Sequence, residues 1–156
     1  MAISAPKRPP PTVLMVEDDD FSQEVLCIML MTLGITGIHF ARNGRDALRL
    51  TADQRRPFDL CICDIFMPEM DGIELVGHLA SQGYYGDIIL ISGGDAEMLG
   101  HARLIAQRNG LNVLASLTKP LALAALMQAL LSPAAQSPYL TAVYPFNARQ
   151  ISVNSY

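Results

Sequence analysis

The sequence predicts an α/β sandwich: a parallel sheet of five strands with helices packed on both of its faces. Three observations lead there. Short apolar runs alternate five times with longer stretches of helical period. The runs lack the strict alternation of a half-exposed strand, as strands buried on both faces do. Four of them end in polar residues of complementary type. With 156 residues, 51% hydrophobic and 17% charged, the chain has the size of one domain that buries a core without disulfides or structural metal.

The units follow in order. Val13 to Val16 reads as a strand and Phe21 to Leu33 as its helix, with Phe21, Val25, Met29 and Leu33 as a core-facing stripe that Gly34 terminates. Ile35 to Ala41 precedes a helix from Asp46 to Ala52, and Phe58 to Cys63 precedes one from Ile73 to Ser81. Asn43-Gly44 and Asp71-Gly72 stand where those two helices begin, each offering a capping side chain or a turn. Ile88 to Ile91 with Ala96 to Gln107, and Val113 to Leu117 with Leu121 to Leu131, complete the set. The last helix is almost wholly apolar apart from Gln128, which leaves two readings: part of it meets another chain, or the tail from Ser132 folds back over it.

Both ends differ from this middle. Residues 1–11 hold Pro6, Pro9, Pro10 and Pro11 and little to pack, so they read as an extended, solvated leader. Residues 132–156 carry Arg149 as their single charge, with Pro133, Pro138 and Pro145, and read as a mostly irregular, flexible tail. Its Tyr139, Tyr144, Phe146 and Tyr156 are docking residues in the alternative reading.

Charge excludes one class of function. Lys7, Arg8 and Arg149 are the basic residues outside 12–131, which leaves 8 basic against 15 acidic side chains within it. That balance disfavours direct nucleic-acid binding and favours cations or basic partner surfaces. Cys27, Cys61 and Cys63 lie in apolar runs with no second Cys or His cluster to complete a metal site; they read as buried thiols in a reducing, cytoplasmic setting. No apolar run approaches the roughly 18 residues that a membrane span needs.

In an open parallel sheet, ligands bind outside the carboxyl ends of the strands where chain order reverses. Those ends carry Glu17-Asp18-Asp19-Asp20, Asp64, Ser92-Gly93 and Thr118-Lys119-Pro120. Glu17, Asp18 and Asp64 brought together repel one another unless they share a hard cation, and magnesium suits a few carboxylates plus water. Ser92 and Lys119 suit an anion beside that metal, a set fitted to phosphoryl transfer with the central Asp64 as nucleophile.

From Thr12 to Leu131 the chain resembles the receiver domain of two-component response regulators. The resemblance rests on Val13-Leu14-Met15-Val16-Glu17-Asp18, Asp64-Ile65-Phe66-Met67-Pro68-Glu69-Met70-Asp71-Gly72, Ser92-Gly93 and Lys119-Pro120. It implies a flavodoxin-like (βα)5 doubly wound sheet of strand order 2-1-3-4-5. It also implies magnesium bound by Glu17, Asp18, Asp64 and the backbone carbonyl of Phe66, and Asp64 as acceptor of a phosphoryl group from a histidine kinase or phosphotransfer protein. Ser92 and Lys119 are implied to contact the phosphoryl oxygens, with a cis bond before Pro120 pointing Lys119 inward. The implied partners are that kinase and a downstream output protein, with homodimerisation through the helix 4, strand 5, helix 5 face. Self-phosphorylation and self-dephosphorylation at Asp64 would be the chain's sole catalysis.

Some positions depart from the family. The aromatic switch residue expected three positions before the lysine is Ser116, so a signal must pass through Ser92, Gly93 and the following loop or through a dimer surface. Phe66 and Gly94, at the positions that tune phosphoryl lifetime, cannot orient an attacking water, which predicts slow self-dephosphorylation. Ile89 to Gly93 and Gly110 to Leu121 resemble receivers joined to EAL-type cyclic-di-GMP phosphodiesterase domains. Two other functions compete: a receiver-shaped interaction module that signals without phosphate, and a magnesium phosphohydrolase. The latter expects a second aspartate two residues after the nucleophile, where this chain has Phe66.

Overall fold

The structure is a computed structural model that describes residues 9–53, 55, 57–136 and 138–140. Most of the Pro-rich leader, with Lys7 and Arg8, and the tail residues Tyr144, Phe146 and Tyr156 lie outside the described residues. Five strands and five helices alternate: β1 (Thr12–Val16), α1 (Asp20–Thr32), β2 (Gly37–Ala41), α2 (Gly44–Thr51), β3 (Leu60–Asp64), α3 (Gly72–Ser81), β4 (Asp87–Ser92), α4 (Ala96–Arg108), β5 (Asn112–Thr118) and α5 (Leu123–Leu130). The sheet is parallel with strand order β2-β1-β3-β4-β5, the flavodoxin-like arrangement.

Alternation along the strands divides the core into two clusters, because successive side chains of a strand point to opposite faces. Leu14, Val16, Cys61, Cys63, Ile88 and Leu90 pack against Leu75, Val76 and Leu79 of α3 and Leu99, Ala102 and Ala106 of α4. Val13, Met15, Leu60, Ile62, Ile89 and Ile91 pack against Leu26 and Leu30 of α1 and Leu126, Ala129 and Leu130 of α5. Each fully buried Leu or Ile contributes about 1.5–3 kcal/mol, so these layers outweigh any capping contact. Cys61 and Cys63 are buried free thiols, as expected, and burial pushes Cys61 up to about 12.

The expected stripe of α1 holds only toward its carboxyl end. Met29 and Leu33 pack, partly buried, on the core, but Phe21 is 73% exposed, and Leu26 and Leu30 are the residues fully buried against the sheet. A spacing of four overshoots a 3.6-residue turn by about 40° per step, so the series that starts at Phe21 begins outside the buried face and winds onto it. Gly34 does end the helix: its φ is +88°, and Ile35 N–H returns to Leu30 O at 2.9 Å. Asn43 and Asp71 cap α2 and α3 as expected, accepting from Asp46 N and Glu74 N at 2.8 Å. α5 begins two residues later than expected; its N-cap, Ala122, has no side-chain oxygen to signal the start.

The tail also departs from expectation. Residues 132–136 and 138–140 contain no helix or strand, but they are not a loose end. Ala135, Tyr139 and Leu140 join the cluster formed by α1 and α5, and Tyr139 is 2% exposed. Part of the apolar surface of α5 is covered by the chain's own continuation, while Leu123 and Leu131 stay exposed.

Candidate functional site

The strand register sets the site. Val16 lies beside Ala41 and Cys63, Asp64 beside Ile91, and Ser92 beside Thr118, so the carboxyl ends of all five strands finish at one level. Chain order reverses between β1 and β3, the place where such sheets bind ligands. Glu17 leaves β1 there, with its N–H on Ala41 O at 3.0 Å and its carbonyl accepting from Gln23 Nε2 at 2.6 Å. Asp64 ends β3, and Gly72 N–H on Ile65 O (3.0 Å) folds the following loop back. A Cβ at Gly72 would lie 2.5 Å from Ile65 Cα, so no larger residue permits that close return.

Carboxylate oxygens of Glu17, Asp18 and Asp64 all lie within 4.8 Å of one another. Glu17 and Asp64 are buried and Asp18 is exposed. Lys119 Nζ reaches between them, 2.8 Å from Glu17 Oε2 and 2.7 Å from Asp64 Oδ2. Its backbone N–H bonds Ser92 O at 2.8 Å, and the Lys119–Pro120 peptide is cis, as the resemblance implied. Phe66 N–H holds Asp64 Oδ1 at 2.9 Å, and Asp19 N–H holds Glu17 Oε1 at 3.1 Å. Each buried carboxylate therefore has both oxygens engaged.

Burial raises the Glu17 carboxyl above its ordinary value, against the hydrogen bonds from Lys119 and Asp19 that lower it, with the Asp64 charge adding to the rise. Burial acts to lower Lys119, but hydrogen bonds and charge from Asp64 and Glu17 prevail and hold it above its ordinary value. Three carboxylates against one ammonium leave the ionised cluster negative, a field suited to a dication. The donor set fits magnesium: all hard oxygens, few in number, one of them on an exposed residue open to water.

Other expected residues stand differently. Ser92 is fully buried, and its Oγ accepts from Gly94 N at 3.1 Å; it sits behind the cleft, whose wall at that point is Gly93 and Gly94. The Phe66 ring lies against Gly94 so closely that a Cβ there would be 2.9 Å from it. Ser116 does not line the cleft; it stands beside Leu90 in the sheet, with its buried Oγ unpartnered among the described residues. Two further residues line the cleft: Asp19, seen in the sequence only as part of the acidic run after the first strand, and Ser22, which went unnoticed. Asp19 caps α1 through Ser22 N at 2.8 Å, and Ser22 Oγ is 3.4 Å from Lys119 Nζ. An N-cap followed three residues later by a serine is too common a pattern to single them out.

A doubly wound parallel sheet with an acidic cluster and a lysine at its switch point has the build of a receiver-type signalling module, and comparison with known proteins agrees. The sequence profile of the response regulator receiver domain matches residues 13–131, and the chain belongs to that family, the receivers of two-component systems. A probable C4-dicarboxylate response regulator of Bacillus subtilis, DctR, is 35% identical over 81 residues, covering 51% of this chain and 35% of that protein. A response regulator from Colwellia psychrerythraea superposes with a TM-score of 0.65 at 30% identity, covering 78% of this chain and 96% of that one. The receiver domain of a Pseudomonas aeruginosa sensor histidine kinase, with magnesium coordinated in its active-site cleft, gives 0.61 at 27% identity, covering 76% and 93%. The chain spans about a third or less of the length of the curated relatives it matches. These likenesses support the receiver family without singling out receivers joined to EAL domains. Among the described residues no helix is long and apolar enough to cross a membrane.

Proposed function

We propose that this chain is a phosphoacceptor receiver in which Asp64 takes a phosphoryl group from a histidine kinase or phosphotransfer protein. The observation that carries the reading is the convergence of Glu17, Asp18, Asp64 and Lys119 at the switch point of the sheet. Asp64 is the nucleophile: a carboxylate oxygen attacks phosphorus, the bond from phosphorus to the donor nitrogen breaks, and an acyl phosphate forms. Phe66 N–H and Lys119 hold the carboxylate in place, and Lys119 neutralises charge on the transferring oxygens. Ser92 turns its hydroxyl from Gly94 N–H toward the new group. Glu17, Asp18, Asp64 and the Phe66 carbonyl would hold magnesium, which supplies further neutralisation of phosphoryl charge when bound.

The exposed Phe21 stands at the site's edge on α1, and an apolar groove runs from Phe21 and Val25 to Pro120 and Leu121. It suits the helix of a phosphodonor. The output, or a second copy, meets the face of α4, β5 and α5, where Leu104, Leu123 and Leu131 are exposed. The setting is cytoplasmic, in keeping with the free thiols. The likeness of Ile89–Gly93 and Gly110–Leu121 to receivers joined to EAL domains points to cyclic-di-GMP turnover as the output class.

Intact mass after incubation with acetyl phosphate, with and without magnesium, tests the central reading. The wild type is expected to gain one phosphoryl group only with magnesium, and Asp64→Asn none. No gain under either condition would leave the competing function, a receiver-shaped module that signals through binding alone.

A further inference from the structure

The buried acid that the phosphoryl chemistry does not use is Asp87, at the opposite end of β4. It is 0% exposed, and every partner of its carboxylate in the structure is polar. Oδ1 accepts from Asn112 Nδ2 at 2.7 Å; Oδ2 accepts from Gln136 N at 2.9 Å and from the Tyr139 hydroxyl. The same hydroxyl lies 2.8 Å from Asp59 O, and Asn112 Nδ2 also bonds Ala134 O at 2.8 Å. The tail thus passes beneath the amino ends of β5, β4 and β3 in turn. A buried carboxylate without such donors is costly, so the socket at Asp87 is built for an occupant.

One irregularity gives this placement a meaning. Ile88 pairs with Val113 but Ile89 pairs with Ala115, so Leu114 is an extra residue in β5 and the ladder has a bulge there. Below the bulge stand Asp87 and Asn112, the residues that the tail grips; above it stand Ser92 and Thr118, next to Lys119. A bulge disrupts the ladder locally, so the pairs below it are coupled less tightly to those above.

We propose that residues 132–136 and 138–140 belong to an intramolecular strap, buckled by Tyr139 in the Asp59–Asp87 socket, that locks the register of β5 against β4. The occupant of the socket is the chain's own tail and not that of a second copy: Ser132 N–H bonds Ala129 O at 3.2 Å, Ala135 N–H bonds Ser132 O at 3.0 Å and Gln136 N–H reaches Asp87, so residues 132–136 lead directly from α5 to the socket. The device lies at the pole opposite the phosphoryl site and does not depend on that site's chemistry.

Hydroxyl-radical footprinting of the full chain, read residue by residue by mass spectrometry, tests it. Tyr139 is expected to react far more slowly than Tyr85, which is 70% exposed, and its protection is expected to be independent of protein concentration. Asp87→Ala is expected to raise Tyr139 reactivity about tenfold, the effect of losing one charge-assisted hydrogen bond. It should also speed amide exchange along β5 while leaving β1 unchanged. Should Asp87→Ala not fold, Tyr139→Phe keeps the ring, removes the hydroxyl and is expected to speed amide exchange along β5 to a smaller degree. Tyr139 as reactive as Tyr85 in the wild type overturns the strap. Protection that disappears on dilution overturns the assignment to one chain. A released Tyr139 with unchanged exchange in β5 overturns the register lock. Phosphoryl uptake by mass in the same samples separates these outcomes from a failure of the receiver chemistry.

Discussion

For the acyl phosphate proposed at Asp64, Phe66 is the residue expected to set the lifetime. Its ring covers Gly94 at the mouth of the cleft and offers no group to orient water. Replacing it by Ala removes an apolar screen, so loss of phosphate from the pre-labelled protein is expected to accelerate about tenfold, on the scale of water access to a positioned site. Timed intact-mass spectra give the rate, and an unchanged half-life would show that the ring shields nothing. Glu17 sets a pH dependence. Its carboxyl is raised by burial, so the folded state holds the proton more tightly than the unfolded chain does. Its share of stability is therefore greatest below the ordinary value of 4.5 and is lost as pH rises through the higher folded value. For magnesium the sign is opposite, since the ion needs the ionised form. Affinity is expected to decline on acidification at a higher pH than an unperturbed glutamate would dictate, as titrations between pH 7 and pH 5 can show. Glu17, Asp18, Asp64 and Lys119 were legible in the sequence because a parallel sheet forces the ends of its strands together. Ser22 was not, since its role arises only from the approach of Lys119 from β5.

At the level of elements, α1 separates what periodicity reveals from what it hides. The helix was visible as an apolar stretch, but the choice of face was not: hydrophobic residues occupy nearly every side of it, and burial depends on where the sheet lies. Leu30→Ala is expected to cost about 2–5 kcal/mol, whereas Phe21→Ala should cost well under 1 kcal/mol, the difference between a core cavity and an exposed ring. Urea denaturation measures both, and Phe21→Ala should instead slow transfer from a cognate kinase. β5 teaches a related lesson. Its apolar run predicted a strand, while the bulge at Leu114 left no mark in the pattern because both neighbours of Leu114 are small or apolar.

Across the whole molecule, charge and metal act together. The cluster of Glu17, Asp18 and Asp64 is repulsive in the folded state and dispersed in the unfolded one, so magnesium binding adds to stability. At free ion a hundred times the dissociation constant the gain is about 2.7 kcal/mol. Thermal unfolding with and without magnesium is expected to show this rise in the wild type and to lose most of it in Asp18→Ala or after chelation. The order and alternation of the elements made the fold readable throughout. How far the packed part reaches past α5 was not readable, because residues 132–140 have no period and the burial of Tyr139 and the placement of Ala134 and Gln136 depend on Asp59, Asp87 and Asn112, far away in sequence.

Thr12, where the first strand begins, bonds Asp59 through its backbone N–H at 2.8 Å, and Tyr139 meets the carbonyl of the same residue. The first strand and the last described segment therefore meet at one residue, separated from Asp64 by the length of a strand, about 17 Å for five residues. A surface tether placed at this pole would hold the molecule by its base and turn the acidic cleft outward, leaving the approach of a phosphodonor unobstructed.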